Sequence, residues 1–165
     1  MTATDAIDRL RSVLATAVDD RAIEAIDGRA IALGWATVEL ERATHELDAA
    51  LGLPPGRFTP AAPTPTLGAI CCVARDALSS GLALVLLEPS TEGRLAGWLA
   101  RHGEGPAAVW LAVGDVSAAV AALHGAGVMT SAERPGPLGP ERLFLDGPID
   151  GLPRLVVERA GTIRA

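Results

Sequence analysis

Apolar and polar positions follow the same pattern in two separate stretches of the chain. Each stretch, residues 30–53 and residues 105–128, has an apolar run of strand length followed by a segment with helical spacing. Trp35 in the first stretch corresponds to Trp110 in the second, 75 positions later. Two copies with so long a period predict a duplicated half-domain rather than a solenoid. The halves are expected to pack as pseudo-symmetric partners around a shared cleft.

The first copy is predicted to contain a strand, a helix and two further strands. Its helix ends at Gly52, because a glycine followed by prolines is a typical helix C-terminal signal. The segment 54–67 holds five prolines and is predicted to be an extended loop or an edge segment. The predicted elements are strands at 30–38, 68–74 and 82–87, a helix at 41–51 and a short connecting helix at 91–103.

The second copy is predicted to repeat this order, and an amphipathic helix precedes both copies. The helix is expected over residues 5–26, where apolar residues recur at helical spacing. Its apolar stripe covers either the domain's own sheet or a second copy of the chain, and a homodimer is the expected assembly. The elements predicted for the second copy are strands at 107–113, 141–145 and 153–158, a helix at 116–124 and a Pro/Gly loop at 134–140.

Composition limits the compartment and the partners. The chain of 165 residues is long enough for one core, and its net charge of −6 would repel nucleic acid and anionic membranes. There is no signal-peptide pattern and no long charge-free apolar run, so a cytoplasmic protein is expected. Cys71 and Cys72 are adjacent and cannot form a disulfide framework. Lys, Tyr, Asn and Gln are absent, which excludes Schiff-base lysines and amide oxyanion donors.

The doubled order of strand, helix and further strands, with an LLEP ending and a GEGP start, resembles the vicinal oxygen chelate superfamily of glyoxalases, ring-cleaving dioxygenases, methylmalonyl-CoA epimerases and antibiotic-resistance binders. Residues 84–128 are most similar to epimerase-like and glyoxalase-like members. The resemblance implies an α+β fold in which two βαβββ modules, residues 28–95 and 105–160, form a half-barrel cleft. The glyoxalase-like domain would then span residues 28–160, preceded by a helical segment at 1–27.

The resemblance also implies one metal ion in the cleft of the enzymes, held by four side chains. The corresponding positions in this sequence are Leu33, Val85, Ala108 and Leu155. None of them can ligate a metal, because a divalent ion needs imidazole or carboxylate donors. A slip of one residue would not restore the site, since the neighbouring positions are apolar apart from Arg154. No metal and no other cofactor is expected.

Alternation along the strands predicts what replaces the metal site. Residues two apart share a face, so Trp35 and Trp110 are expected to form two aromatic walls of an apolar pocket, with Thr37 as a polar anchor. Either the tryptophans fill the cleft as core, or they bind a ligand by stacking. The residues predicted to line the pocket are Leu33, Trp35, Thr37, Val85, Leu87, Ala108, Trp110 and Leu155.

Three functions remain open from the sequence. The first is metal-independent binding of a small apolar, aromatic or acyl ligand. The second is an enzyme, an isomerase, epimerase or glyoxalase-like lyase acting by proton transfer on a small carbonyl or acyl substrate. Its catalytic candidates are His102 and Glu104, which could exchange a proton at the mouth of the cleft. The third is a structural dimerisation module with a filled cleft.

Overall fold

A computed structural model describes residues 26–78, 81–145 and 152–158, together with the isolated positions 8, 9 and 12. The predicted N-terminal helix over 5–26 therefore lies almost entirely outside the described residues. From residue 26 onward, the described ranges contain three helices and seven strands. They are β1 (Arg29–Ala36), α1 (Leu40–Leu51), β2 (Thr59–Thr64), β3 (Ala69–Ala74), β4 (Ala83–Pro89), α2 (Arg94–His102), β5 (Gly105–Val113), α3 (Val116–Gly125), β6 (Glu141–Leu143) and β7 (Arg154–Glu158).

All seven strands belong to one mixed sheet with the order β2-β3-β4-β1-β5-β7-β6. The first strands of the two modules, β1 and β5, pair antiparallel in the middle of the sheet. On either side, β4 runs parallel to β1 and β7 runs parallel to β5. The predicted α+β architecture of two related modules is confirmed, and the sheet forms within a single chain. Among the described helices, none has both the length and the hydropathy needed to span a bilayer.

The sheet separates two apolar cores. On one face, α1 and α3 pack against β1, β4, β5 and β7 through side chains such as Leu47 and Leu123. The opposite, concave face is covered by α2, whose Leu95 and Trp98 pack against it. Both faces of the central strands are fully buried, which explains their continuous apolar sequence.

Equivalent positions in the first strands of the two modules are 76 residues apart, one more than the sequence pattern predicts. Gly34 pairs with Val85 in the first module, and Trp110 pairs with Leu155 in the second. The helices agree, because their N-cap residues are Glu39 and Asp115. A slip of one residue reverses the face to which a strand residue points.

Gly34 shows which face of β1 points into the concavity. A Cβ added to it would lie 2.8 Å from Leu87 Cδ1 and 3.0 Å from both Ala108 Cβ and Trp110 Cζ3. Gly34 thus leaves room for Trp110, and its neighbour Trp35 points toward the helices. Alternation along β1 holds, since Ala32 and Ala36 lie in the concave core, and the predicted face was wrong because the two modules were matched one residue out of step.

The outermost segment differs between the two modules. In the first module, the Pro-rich segment forms β2, in which Pro60 occupies an edge strand that tolerates a missing donor. In the second module, residues 129–134 pair with β6 without forming a regular strand. Backbone hydrogen bonds join Ser131 N to Leu143 O (2.8 Å), and Glu141 N to Arg134 O (2.7 Å). The predicted strand at 141–145 is consequently only three residues long.

Candidate functional site

The two ends of the sheet meet on the concave face. Thr64 lies at the end of β2, one edge of the seven-stranded order, and Glu141 begins β6, the other edge. The Thr64 hydroxyl donates a hydrogen bond to Glu141 Oε1 across the concavity. Both residues are completely buried. The sheet is therefore curled until its ends touch, and a polar contact closes the half-barrel.

Glu141 is held by a second donor from the middle of the sheet. The indole Nε1–H of Trp110 donates to Glu141 Oε2 over 2.8 Å. Burial raises the pKa of this carboxyl, and the hydroxyls of Thr64 and Thr66 and the Trp110 indole only partly oppose the increase. A carboxyl that is buried among apolar side chains and hydrogen-bonded by neutral donors can change its protonation state nearer to neutral pH than an exposed one.

Cys71 is the counterpart of Glu141 in the first module. Cys71 pairs with Leu87 in the first module, and Glu141 pairs with Val157 in the second. Each residue of the second pair lies 70 positions after its equivalent in the first. Its thiol is buried, and this burial together with the nearby Glu141 charge raises its pKa to about 12. The thiol is therefore protonated at neutral pH and acts as a small apolar group.

A hairpin covers the Glu141 carboxylate. Residues 134–140 (RPGPLGP) form a loop that is closed by backbone hydrogen bonds between Arg134 and Glu141. Gly136 and Pro137 within this loop are buried. A Cβ on Gly136 would collide with the Glu141 carboxylate, so only glycine allows the backbone to approach so closely. Leu138 packs against the concave core. The site is thus closed on this side by the Pro/Gly loop that the sequence predicts.

The predicted pocket residues divide between the two faces. Leu33 and Trp35 belong to the core beneath the helices, so the predicted pocket with two tryptophan walls does not form. Thr37 is buried beyond the end of β1, where its hydroxyl bonds to Glu104 (2.7 Å). The structure places the remaining predicted lining residues together on the concave face: Val85, Leu87, Ala108, Trp110 and Leu155.

The proposed proton exchange between His102 and Glu104 is not supported by their contacts. Glu104 accepts hydrogen bonds from Thr37, from Val38 N (2.9 Å) and from Arg42 Nη2 (2.5 Å). Partial burial would raise the pKa of Glu104, but these bonds outweigh it and lower the pKa. The imidazole of His102 stacks on the Trp98 indole instead, with ring centroids 4.1 Å apart. Glu104 thus joins the two modules as a structural anion and is a poor base.

The residues on the concave face do not fit a metal ion. Because of the one-residue offset, Ala32 rather than Leu33 takes the first of the four positions, and it is also hydrocarbon. In the ranges that the structure describes, no three His, Cys, Asp or Glu side chains come close enough together to hold a metal. Within the described ranges, Glu141 is the buried carboxylate on this face, and it is engaged with Trp110 and Thr64.

Glu141 and Thr64 were not among the residues predicted from the sequence. They are separated by 77 positions, and no local pattern joins them. One signal was present: Glu141 shares a strand face with Leu143, so alternation places a carboxylate among core residues. A charged residue on an apolar strand face is a sign of a buried polar contact.

No protein-family model and no curated protein matches the sequence. Solved structures do match the fold. Methylmalonyl-CoA epimerase from Mycobacterium tuberculosis is 21% identical, with a TM-score of 0.68 over 84% of this chain and 92% of that one. A Streptomyces coelicolor methylmalonyl-CoA epimerase variant in complex with 2-nitronate-propionyl-CoA is 26% identical, with a TM-score of 0.63 over 81% and 98%. A hypothetical protein from Bacillus halodurans C-125 is 16% identical, with a TM-score of 0.66 over 84% and 99%.

Proposed function

We propose that the chain is a member of the vicinal oxygen chelate superfamily, whose fold it shares with the similar epimerases, and that it binds a small apolar, aromatic or acyl compound on its concave face without a metal ion. The observation that carries this proposal is the chemistry of the concave face. Hydrocarbon side chains stand at all four positions where metal ligands are expected, and one buried carboxyl, Glu141, faces the same core. An apolar lining with few polar groups is the usual composition of a small-molecule site.

The charge and the closure of the site restrict the ligand. Glu141 is an acceptor when it is ionised, so the part of the ligand that faces it should be neutral or cationic and should present a hydrogen-bond donor. An amide or a hydroxyl next to an apolar group meets this requirement. The hairpin 134–140 lies over the carboxylate, so ligand entry requires this hairpin to move.

Metal independence is tested by comparing metal content with binding. Protein purified without a histidine tag should retain far less than one Zn, Ni, Co or Mn ion per chain after dialysis. Titration calorimetry with butyramide, benzamide and methylmalonyl-CoA, the compound held by one of the similar epimerases, should give the same affinity with and without EDTA. A stoichiometric retained metal, binding abolished by EDTA, or no binding of any of these probes would each contradict the proposal.

A second candidate function is proton transfer on a carbonyl or acyl compound, as in an isomerase or epimerase. The observation that favours it is the Glu141 carboxyl, whose pKa is raised mainly by burial and which lies among neutral donors. Such a carboxylate can remove a proton from the carbon next to a carbonyl and return it. The hydroxyl and indole donors that hold Glu141 would keep its orientation fixed during the transfer.

Proton transfer is tested by deuterium exchange. Methylmalonyl-CoA incubated with the protein in D₂O should gain deuterium at its acidic carbon, and mass spectrometry measures the rate. Glu141→Gln should lower this rate by about 100-fold or more, the usual contribution of a general base. Glu104→Gln is the matched control, because it removes a carboxylate outside the concave core and should leave the rate nearly unchanged. Equal rates in the two variants would exclude Glu141 as the base.

A further inference from the structure

The two central strands are buried on the helix side of the sheet, although no described helix lies mainly over them. Of the described helices on this face, α1 contacts chiefly β4 and α3 contacts chiefly β7. In the sheet order, β1 and β5 lie between those two strands. The helix-side residues of β1 and β5 are nevertheless at most 1% exposed, and we refer to them as the central strip: Leu33, Trp35, Val109, Leu111 and Val113.

Helices α1 and α3 are too far apart to cover the central strip together. Adjacent strands lie about 4.8 Å apart, so helices centred on β4 and β7 are separated by about 14 Å. Two helices in direct contact have axes about 8–10 Å apart. Because this is the convex face of a curled sheet, its curvature increases the separation further. A groove therefore runs between α1 and α3 along the pairing of β1 with β5.

The N-terminal part of the chain has one end at each end of this groove. Ile26 is buried in the helix-side core, close to Val113 at the end of β5, since a Cβ added to Gly28 would touch both side chains. At the opposite end, Arg9 Nη1 donates to the carbonyl of Glu104, the residue before β5 (3.5 Å). The chain between Arg9 and Ile26 therefore passes from one end of the β1–β5 pairing to the other.

The length of this segment matches the groove when the segment is helical. Strand β5 has nine residues and spans about 26 Å at about 3.3 Å per residue. The chain from Arg9 to Ile26 spans about 25 Å as an α-helix and about 56 Å when it is extended. The described residues of the segment, Asp8, Arg9 and Ser12, have a helical backbone and are exposed.

These three exposed residues identify the side of the helix that faces solvent. With 3.6 residues per turn, Asp8, Arg9 and Ser12 lie on one side of a helix. The apolar residues of the same stretch lie on the opposite side, and they form the apolar stripe of the segment: Ile7, Leu10, Leu14 and Val18. The side turned away from solvent is thus apolar, like the central strip.

We propose that residues 7–25 of the same chain occupy the groove between α1 and α3, with their apolar stripe packed against the central strip. This assigns the stripe to the domain's own sheet rather than to a second copy of the chain. Attachment at Ile26 holds the segment beside the groove at a high effective concentration, which favours the internal contact. The inference is independent of the proposed ligand site, which lies on the opposite face of the sheet.

Cross-linking of introduced lysines tests the position of the segment, because the chain contains no lysine of its own. A short amine-reactive cross-linker should join Ser12→Lys to Ala121→Lys, an exposed position on α3. Arg94→Lys is the matched control, since it is exposed on α2 over the opposite face and should not be joined to Ser12→Lys. In a mixture of unlabelled and isotope-labelled protein, mass spectrometry should find cross-linked peptides that are entirely light or entirely heavy.

Thermal unfolding tests the packing of the apolar stripe. Leu14→Ala should lower the Tm by about 5 °C or more, because it leaves a cavity against the central strip. Ser12→Ala, on the exposed side, should change the Tm by at most about 2 °C. Equal Tm values for these two variants would overturn the proposal.

The cross-linking results can also overturn it. Cross-linked peptides of mixed isotope content would place a second copy of the chain in the groove. No cross-link to α3, or an equal yield to α3 and to the α2 control, would place the segment elsewhere. The lysine substitutions change only exposed positions, so they decide the matter even if Leu14→Ala does not fold.

Discussion

Trp110→Ala is expected to cause the largest loss of stability of any substitution on the concave face. Trp110 is fully buried, so truncation to alanine should cost about 3–5 kcal/mol for the lost ring and the cavity it leaves. The change also removes the Nε1–H donor of Glu141 and leaves a buried carboxyl with an unsatisfied oxygen, which adds about 1–3 kcal/mol. Denaturant unfolding gives the free energy of unfolding from the midpoint and slope.

Trp35 provides the matched control, because it is equally buried but lies beneath the helices. Trp35→Phe and Trp110→Phe remove similar volumes, whereas only the second removes a described hydrogen bond to a carboxylate. Trp110→Phe should therefore cost about 1–3 kcal/mol more than Trp35→Phe. Equal costs would mean that the bond from the indole to Glu141 contributes nothing to the stability of the fold.

The stability that Glu141 contributes should fall as pH rises above about 4.5, the ordinary pKa of a glutamate side chain. Burial raises the pKa of Glu141 in the folded state, so between the unfolded and the folded pKa the folded chain binds more protons than the unfolded chain. Stability from this group is full below the unfolded pKa and is lost as pH rises through the folded pKa. Glu141→Gln cannot ionise and should remove this part of the slope.

Glu104→Gln should change the pH dependence in the opposite direction. Hydrogen bonds from Thr37, Val38 and Arg42 lower the pKa of Glu104 in the folded state. Its stabilisation is therefore present above the unfolded pKa and is lost as pH falls through the folded pKa. Chemical unfolding between pH 3 and 8 on the wild type and both variants separates the two contributions. A Glu141→Gln profile parallel to the wild type would show that this carboxyl is not titrating.

The fold could be predicted because the same pattern of strands and helices occurs twice in the sequence. The face of each strand was harder to predict. The recurrence of Trp35 as Trp110 suggests that the two residues are equivalent. The pairing of Gly34 with Val85 and of Trp110 with Leu155 shows instead that Gly34 is the equivalent of Trp110. A one-residue error has no effect on the order of elements, but it moves every side chain of β1 to the opposite face.

The polar centre of the concave face could not be predicted from local pattern. Glu141 and Thr64 meet only because the whole sheet curls. The strand that carries Glu141 has three residues, which is too few for alternation of apolar and polar residues to identify its buried face. Trp98 is a related case, because its helix reads as a connecting segment between the modules. Its position over the concave face depends on the turn at Leu67, whose carbonyl accepts a hydrogen bond from Leu95 N in the first turn of the helix.

The antiparallel pairing of β1 with β5 joins the two modules into one sheet within a single chain. A single module would expose one side of its first strand, and an exposed strand edge recruits another chain. In this protein the linked second module occupies that edge at a high effective concentration. Fusion of the two halves thus converts a dilution-sensitive association into an internal one. The two halves need not be identical within one chain, and Cys71 in the first module occupies the position that Glu141 occupies in the second.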